Sequence, residues 1–149
     1  MAFGTIARAA AILTATASIA GAENLRDCDS FEANARNLSQ PYEDAIRTYA
    51  NGKIALMSLW LEEPACCGAH LLITYPEPGE NWQTCRLLSN DGQLGYSNIE
   101  LHNAEASYDP AEGLTIEMPA STWDGVQNHR FWLAITINQA NGQIWIARR

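Results

Sequence analysis

The chain has 149 residues, with 9 Lys and Arg against 17 Asp and Glu, and a formal net charge of −8. Hydrophobic residues make up 47% and charged residues 17% of it, which excludes an intrinsically disordered chain. The acid excess argues against a nucleic-acid-binding protein, because a surface that follows phosphates needs clustered Lys and Arg. The length fits a single domain of ordinary size.

The first 22 residues have the pattern of an export signal. Arg8 gives a modestly positive start, residues 9–19 are uncharged and mostly apolar, and Ala20-Gly21-Ala22 supplies the small residues of a cleavage site. The apolar stretch is shorter than the roughly 20 residues that a membrane-spanning helix needs. We therefore expect cleavage after Ala22, a single mature domain over residues 23–149 without a membrane anchor, and a periplasmic or secreted protein.

Four cysteines remain in this mature chain: Cys28, Cys66, Cys67 and Cys85. An even number of cysteines in an exported protein predicts disulfide bonds. A bond between the neighbours Cys66 and Cys67 would be strained, since adjacent Cα atoms are only about 3.8 Å apart. We therefore expect Cys28 to pair with one of these two cysteines and Cys85 with the other, which leaves the exact connectivity open.

The same segment also suggests a chemical alternative. Cys66, Cys67 and His70 place two thiols and an imidazole within five residues, and such ligands suit zinc or Cu(I). Adjacent cysteines fit a zinc site poorly, however, and the chain has no C-x-x-C redox motif. We predict structural disulfides and no cofactor, with a metal- or redox-active protein as the alternative.

The start of the mature chain has helical signals. Asp29 or Ser30 is suited to the N-cap of a short helix, and Pro41 favours the first turn of a second one. The second helix would carry an apolar stripe at helical spacing and end at Asn51-Gly52. The stripe consists of Tyr42, Ala45, Ile46 and Tyr49.

Beyond Gly52 the pattern changes to short apolar runs separated by turn residues, which predicts strands. The candidate strands are residues 54–61, 69–75, 82–88, 97–102 and 114–118. Residues 54–61 are almost continuously apolar, so that a buried strand and a helix both remain possible there.

The last segment carries a hairpin signal. Residues 129–138 and 143–148 flank Asn141-Gly142, a dipeptide typical of a type I′ turn, which would place Ile137 opposite Ile146. One face of this hairpin is apolar and is expected to join the core: Phe131, Leu133, Ile135, Ile137, Ile144 and Ile146. Together the elements predict a mostly β fold of the α+β class, with an N-terminal helical segment and a small disulfide-stabilised antiparallel β-sandwich or half-barrel.

The opposite face of the hairpin supplies the predicted binding residues Trp132 and Trp145, which lie among small and polar residues. Exposed aromatic rings offer a large contact area to a sugar ring or a protein partner. The neighbouring loop adds Trp123, Asp124 and His129. The alternative is that the N-terminal helix covers this face and that the loop is an ordinary turn.

No catalytic signature is present, whether G-x-S-x-G, a phosphate-binding Gly-rich loop or H-E-x-x-H. The sequence therefore favours an exported non-enzymatic binding or inhibitor-like module. Its partner would be a glycan or a basic protein, because an acidic domain attracts basic partners. Two alternatives remain: the metal- or redox-active protein using Cys66, Cys67 and His70, and a small hydrolase whose site is assembled from distant residues.

Overall fold

The computed structural model describes residues 23–62, 66–92 and 94–149. In these residues ten strands form two five-stranded antiparallel sheets. Sheet I has the order β1-β5-β4-β3-β2, and in sheet II the order is β10-β9-β8-β6, with β7 also paired to β8. The predicted export signal, residues 1–22, lies outside the described residues.

The first five strands of the chain form sheet I and the last five form sheet II. Sheet I consists of β1 (Asn24–Asp27), β2 (Ile46–Tyr49), β3 (Ile54–Trp60), β4 (Ala69–Pro76) and β5 (Gln83–Ser89). Sheet II consists of β6 (Asn98–Ile99), β7 (Glu105–Asp109), β8 (Gly113–Trp123), β9 (Asn128–Asn138) and β10 (Gln143–Arg148).

The core lies between the two sheets, where alternate residues of the central strands face each other. Sheet I contributes Ile54, Leu56, Leu71, Ile73, Tyr75 and Leu88, and sheet II contributes Leu114, Ile116, Met118, Leu133, Ile135 and Ile137. All twelve are buried. The prediction of a mostly β, antiparallel, disulfide-stabilised fold is confirmed.

The helical content is smaller than the sequence predicts. Within residues 23–62, 66–92 and 94–149 it comprises the single turn α1 (Tyr42–Ala45) and two 3₁₀ turns, Ala35–Asn37 and Leu101–Asn103. The predicted second helix is wrong beyond Ala45, because residues 46–49 form β2 and pair with β3. None of the helices among the described residues is long and apolar enough to cross a membrane.

Residues 54–60 form a strand, which decides between the two possibilities left open for this segment. As β3 they lie between β2 and β4 in sheet I. Ile54 and Leu56 point into the core, while Leu59 is buried on the opposite face. A strand covered on both faces reads as a continuous apolar run, which explains why the pattern did not alternate.

The C-terminal hairpin forms as β9 and β10, and its apolar face belongs to the core or packs against it. The predicted register is wrong by two residues, because Ile144 and not Ile146 lies opposite Ile137. The connecting turn is longer than a two-residue type I′ turn, and the Gly142 N–H donates to the Asn138 carbonyl at 2.8 Å. A shift of two residues keeps every side chain on its predicted face.

The disulfides pair Cys28 with Cys85 and Cys66 with Cys67. The predicted cross-pairing is therefore wrong. Its physical reason is the register of β1 on β5, which brings Asp27 opposite Arg86 and leaves Cys28 and Cys85 with a Cα separation of 5.7 Å, an ordinary distance for a disulfide. Two disulfides indicate an oxidising, extracellular environment.

The segment around Tyr96 carries the chain from one sheet to the other. Its N–H donates to the Ala69 carbonyl at 2.7 Å, and the Ala69 N–H donates back at 3.1 Å. A Cβ at Gly95 would lie 2.3 Å from the Cys67 carbonyl oxygen, so only glycine allows this close backbone approach. The crossing fixes β6 next to the start of β4 and defines one end of the sandwich.

Candidate functional site

Three tryptophans lie on the outer face of sheet II, one on each of three neighbouring strands: Trp123 on β8, Trp132 on β9 and Trp145 on β10. Their relative exposures are 39%, 44% and 47%. On each strand the tryptophan side chain points to the side of the sheet opposite to the core residues. We call these three residues the tryptophan face.

The tryptophan face is evenly spaced. Trp145 lies opposite Thr136, four residues along β9 from Trp132, and Trp123 lies opposite Asn128, four residues away in the other direction. Each step is therefore about 14 Å along the strands and about 5 Å across them. The sequence shows that Trp132 and Trp145 share a face, but only the strand register adds Trp123 and makes the three rings a diagonal row.

Small and polar groups lie between the rings. Ala134 and Ala147 face each other between Trp132 and Trp145, and Ser121 faces Arg130 between Trp132 and Trp123. The hydroxyls of Thr115 and Thr136 are 2.9 Å apart. The rings are thus separated by small groups and by polar groups that bear hydrogen-bond donors and acceptors.

The charges of this face are largely compensated. Arg149 lies opposite Trp132 through two backbone hydrogen bonds, and its guanidinium contacts the Glu117 carboxylate at 2.6 Å. Arg130 pairs with Glu100 at 2.6 Å. A surface of paired charges around aromatic rings suits an uncharged ligand better than a strongly basic one.

The predicted loop residues Asp124 and His129 have a different arrangement. The Asp124 Oδ1 atom accepts hydrogen bonds from the N–H groups of Val126 and Gln127, and Oδ2 contacts His129 Nε2 at 2.5 Å. The hydrogen bond from His129, followed by those backbone bonds, lowers the pKa of Asp124 to about 2. The pair thus holds the β8–β9 turn together. By the alternation of side chains along β9, His129 lies on the same side of the sheet as Phe131, opposite to the side of Trp132.

The N-terminal segment does not cover the tryptophan face in the described part of the chain. Residues 31–45 instead lie beside β3 and β6, where they line a groove between the sheets. Both rings that the alternative interpretation would bury, Trp132 and Trp145, are about half exposed.

Cys66, Cys67 and His70 do not form a ligand set in this structure. The two sulfurs are bonded to each other, and the His70 Nδ1 atom lies 2.8 Å from the Ser89 hydroxyl on the buried outer side of sheet I. Burial, more than any neighbouring charge, lowers the pKa of His70. Among the described residues no cluster of three or more His, Cys, Asp or Glu side chains could hold a metal ion.

The structure also brings together residues that sequence reasoning missed. A groove of about 1150 Å³ lies between the sheets and includes Trp60, which is 49% exposed. We call it the inter-sheet groove. In the sequence, Trp60 belongs to the apolar run of residues 54–61, which suggests a buried side chain. Its position at the end of β3 is what leaves the ring partly exposed in the groove.

Comparisons of the chain with protein-family models, with curated proteins and with solved structures found no match. The geometry of these surfaces is therefore the basis for the functional proposal.

Proposed function

We propose that the protein is an exported, non-enzymatic binding module that recognises a glycan through the tryptophan face. The observation that carries this proposal is the even diagonal row of Trp123, Trp132 and Trp145 on one sheet face. Indole rings stack on the apolar C–H faces of sugars and bury a large area at a low cost in conformational entropy.

The regular spacing supports a ligand with a repeating structure. Rings at about 14 Å intervals along the strands can each contact a separate sugar of one extended chain. Because several weak contacts on one ligand add through effective concentration, a row of three rings binds a polymer much better than a single sugar. A glycan polymer has this repeat, and a folded protein surface in general does not.

The compensated charges favour the glycan over the basic protein that the net charge of −8 suggests. Glu117 and Glu100, two carboxylates beside the rings, are both bound by arginines. Arg130 and Arg149 thus balance these two carboxylates, so the net charge of the molecule is not the basis of recognition that we propose for the three rings.

Export of the protein is part of the same proposal. Both disulfides place the folded chain in an oxidising compartment, and cleavage after Ala22 by a signal peptidase would release the domain into the periplasm or the medium. Intact mass of the exported protein, with and without reduction, tests this: a chain beginning at Glu23 and lacking four hydrogens is expected.

The binding proposal is tested with insoluble polysaccharides. Mature protein would be sedimented with cellulose, chitin and peptidoglycan sacculi, and the bound fraction measured for the wild type and for Trp123→Ala, Trp132→Ala and Trp145→Ala. We expect one polymer to retain the wild type and each variant to bind about tenfold more weakly, which corresponds to loss of one ring contact.

Trp82→Ala is the matched control, because Trp82 is 62% exposed but belongs to the connection between β4 and β5 of sheet I and not to the outer face of sheet II. It should bind like the wild type. Binding as strong as that of the wild type by all three face variants, or no retention of the wild type on any of the polymers, contradicts the proposal.

A further inference from the structure

The inter-sheet groove is a second concave surface, and it shares no residue with the tryptophan face. Ser58 and Trp60 of β3 and Ala69 of β4 line it from sheet I, while Asn98 and Ile99 of β6 line it from sheet II. Binding sites for small ligands are concave and occur where elements diverge. The groove has this form, whereas the tryptophan face is on the outer side of one sheet.

An indole that packs only partly is the main apolar feature of the groove. Trp60 lies opposite Ala69, whose small side chain cannot cover the ring. Ala69, Ile99 and Leu101 are themselves buried in the core cluster and form an apolar floor. An exposed indole above a floor of this kind provides one stacking surface for a flat ligand.

The polar lining is rich in groups with free hydrogen-bonding capacity. In residues 23–62, 66–92 and 94–149, the side chains of Gln40, Glu62 and His102 make no hydrogen bond to another protein group, and all three residues are exposed. The Glu100 carboxylate, in contrast, is bound by Asn98, Asn103 and Arg130. The carboxylate of Glu100 is thus occupied by protein groups, while the side chains of Gln40, Glu62 and His102 are available to a ligand.

The balance of these groups selects the ligand class. A purely apolar ligand would leave the polar groups unpaired, at a cost in binding. A strongly charged ligand would meet charges of both signs, because Glu62 and Arg36 both line the groove and Glu100 is already paired with Arg130. A neutral polyhydroxylated ring satisfies both requirements, since its C–H face stacks on Trp60 and its hydroxyls reach amide, carboxylate and imidazole groups.

We infer that the inter-sheet groove binds a neutral oligosaccharide, with Trp60 as its stacking platform. The volume of about 1150 Å³ is larger than a single sugar requires and fits a short chain or a chain end. The inference shares a ligand class with the proposed function but rests on different residues. Either site can therefore fail without the other.

The test uses soluble hexasaccharides of cellulose, xylan, chitin and laminarin, titrated by calorimetry into mature protein and into Trp60→Ala, Trp60→Phe and Trp132→Ala. We expect one hexasaccharide to bind the wild type and Trp132→Ala equally, and Trp60→Ala about tenfold or more weakly. Trp60→Phe, which keeps an aromatic ring, should recover part of the affinity. Glu62→Gln should change the affinity for that hexasaccharide without changing the free energy of unfolding, because Glu62 is exposed.

Two results would overturn the inference. One is the absence of binding of all four hexasaccharides at millimolar concentration. The other is binding that Trp132→Ala removes and Trp60→Ala leaves intact, because soluble chains would then use the tryptophan face. Sedimentation with insoluble polymers, measured on the same proteins, separates failure of the groove from failure of that face.

Discussion

At the scale of single residues, His70 connects burial to pH. It is 2% exposed, and its ring is bonded to Ser89 at 2.8 Å. Desolvation lowers its pKa below the ordinary value of 6.5, Glu32 opposes this effect, and Arg26 adds to it. The folded protein therefore holds this imidazole in the neutral form.

This burial predicts a pH-dependent stability. Above 6.5, the ordinary pKa of a histidine, the ring is neutral in both the folded and the unfolded chain, and its contribution is fully present. As the pH falls below that value the unfolded chain takes up a proton first, so the free energy of unfolding decreases towards the lower folded pKa. Urea unfolding of the wild type and of His70→Gln, measured at several pH values between neutrality and mild acid, gives the difference.

The wild type should lose more stability on acidification than His70→Gln, which cannot take up this proton. Parallel pH profiles for the two proteins would contradict the prediction. Ser89→Ala serves as a companion variant, because it leaves the buried imidazole without its partner and should cost about 1–3 kcal/mol at neutral pH.

At the scale of elements, local patterns predicted the central strands well, missed β1, β2 and β7, and predicted helices poorly. The alternation in residues 129–138 assigned both faces of β9 correctly, since a period of two directly determines which side chains point outward. The spacing of Tyr42, Ala45, Ile46 and Tyr49 matched a helix, yet residues 46–49 pair with β3. That partner comes from elsewhere in the chain, and helical period in a short segment contains no information about it.

The candidate binding surfaces also combine residues that a local pattern predicts with residues that only the pairing of distant segments brings together. Trp132 and Trp145 were predicted together because one hairpin contains both. Trp123 joins them through the register of β8 on β9, and Trp60 becomes a groove residue because residues 31–45 lie beside it. These juxtapositions depend on the order of strands in the sheets, which local propensity does not determine.

The two disulfides should contribute very differently to stability. The Cys28–Cys85 bond joins the end of β1 to β5 across a separation of 57 residues, and closing such a loop stabilises by about 4 kcal/mol in the chain-entropy model. The Cys66–Cys67 bond joins adjacent residues and restricts the unfolded chain only locally. We expect Cys28→Ser with Cys85→Ser to lower the free energy of unfolding by about 2–5 kcal/mol.

Cys66→Ser with Cys67→Ser is the matched control for this effect, and it should lower stability much less. Urea denaturation of the three proteins at neutral pH measures the differences. Equal losses for the two double variants would mean that loop closure is not the source of the stabilisation.

At the scale of the whole molecule, a polar cluster joins the two sheets at one end of the sandwich. Glu23, just before β1, accepts hydrogen bonds from the Tyr96 hydroxyl and from Arg148 of β10. Arg148 also donates to Asn90 at 2.6 Å, and its guanidinium lies 4.5 Å from the centre of the Phe131 ring. Burial, together with the Glu23 charge, raises the pKa of Tyr96 well above its ordinary value.

The cluster gives a structural meaning to the predicted cleavage after Ala22. Glu23 would be the first residue of the mature chain, and its side chain is only 5% exposed. Cleavage one residue later would remove the carboxylate that joins sheet I to sheet II. The position of cleavage at this end of the chain would thus affect stability directly.

Glu23→Gln should therefore destabilise the fold by about 3 kcal/mol, because removal of one partner leaves the partly buried Arg148 guanidinium without its counter-charge. Glu117→Gln removes the partner of Arg149 in a pair whose arginine is 63% exposed, and such a surface pair is worth about 1 kcal/mol or less. Thermal and urea unfolding of both variants, with a chain that begins at Asn24 as a third sample, measures the two costs. The Asn24 chain should be at least as unstable as Glu23→Gln. If Glu23→Gln and Glu117→Gln lose the same small amount, the two sheets are held together by the apolar core alone and the cluster around Glu23 adds nothing to it.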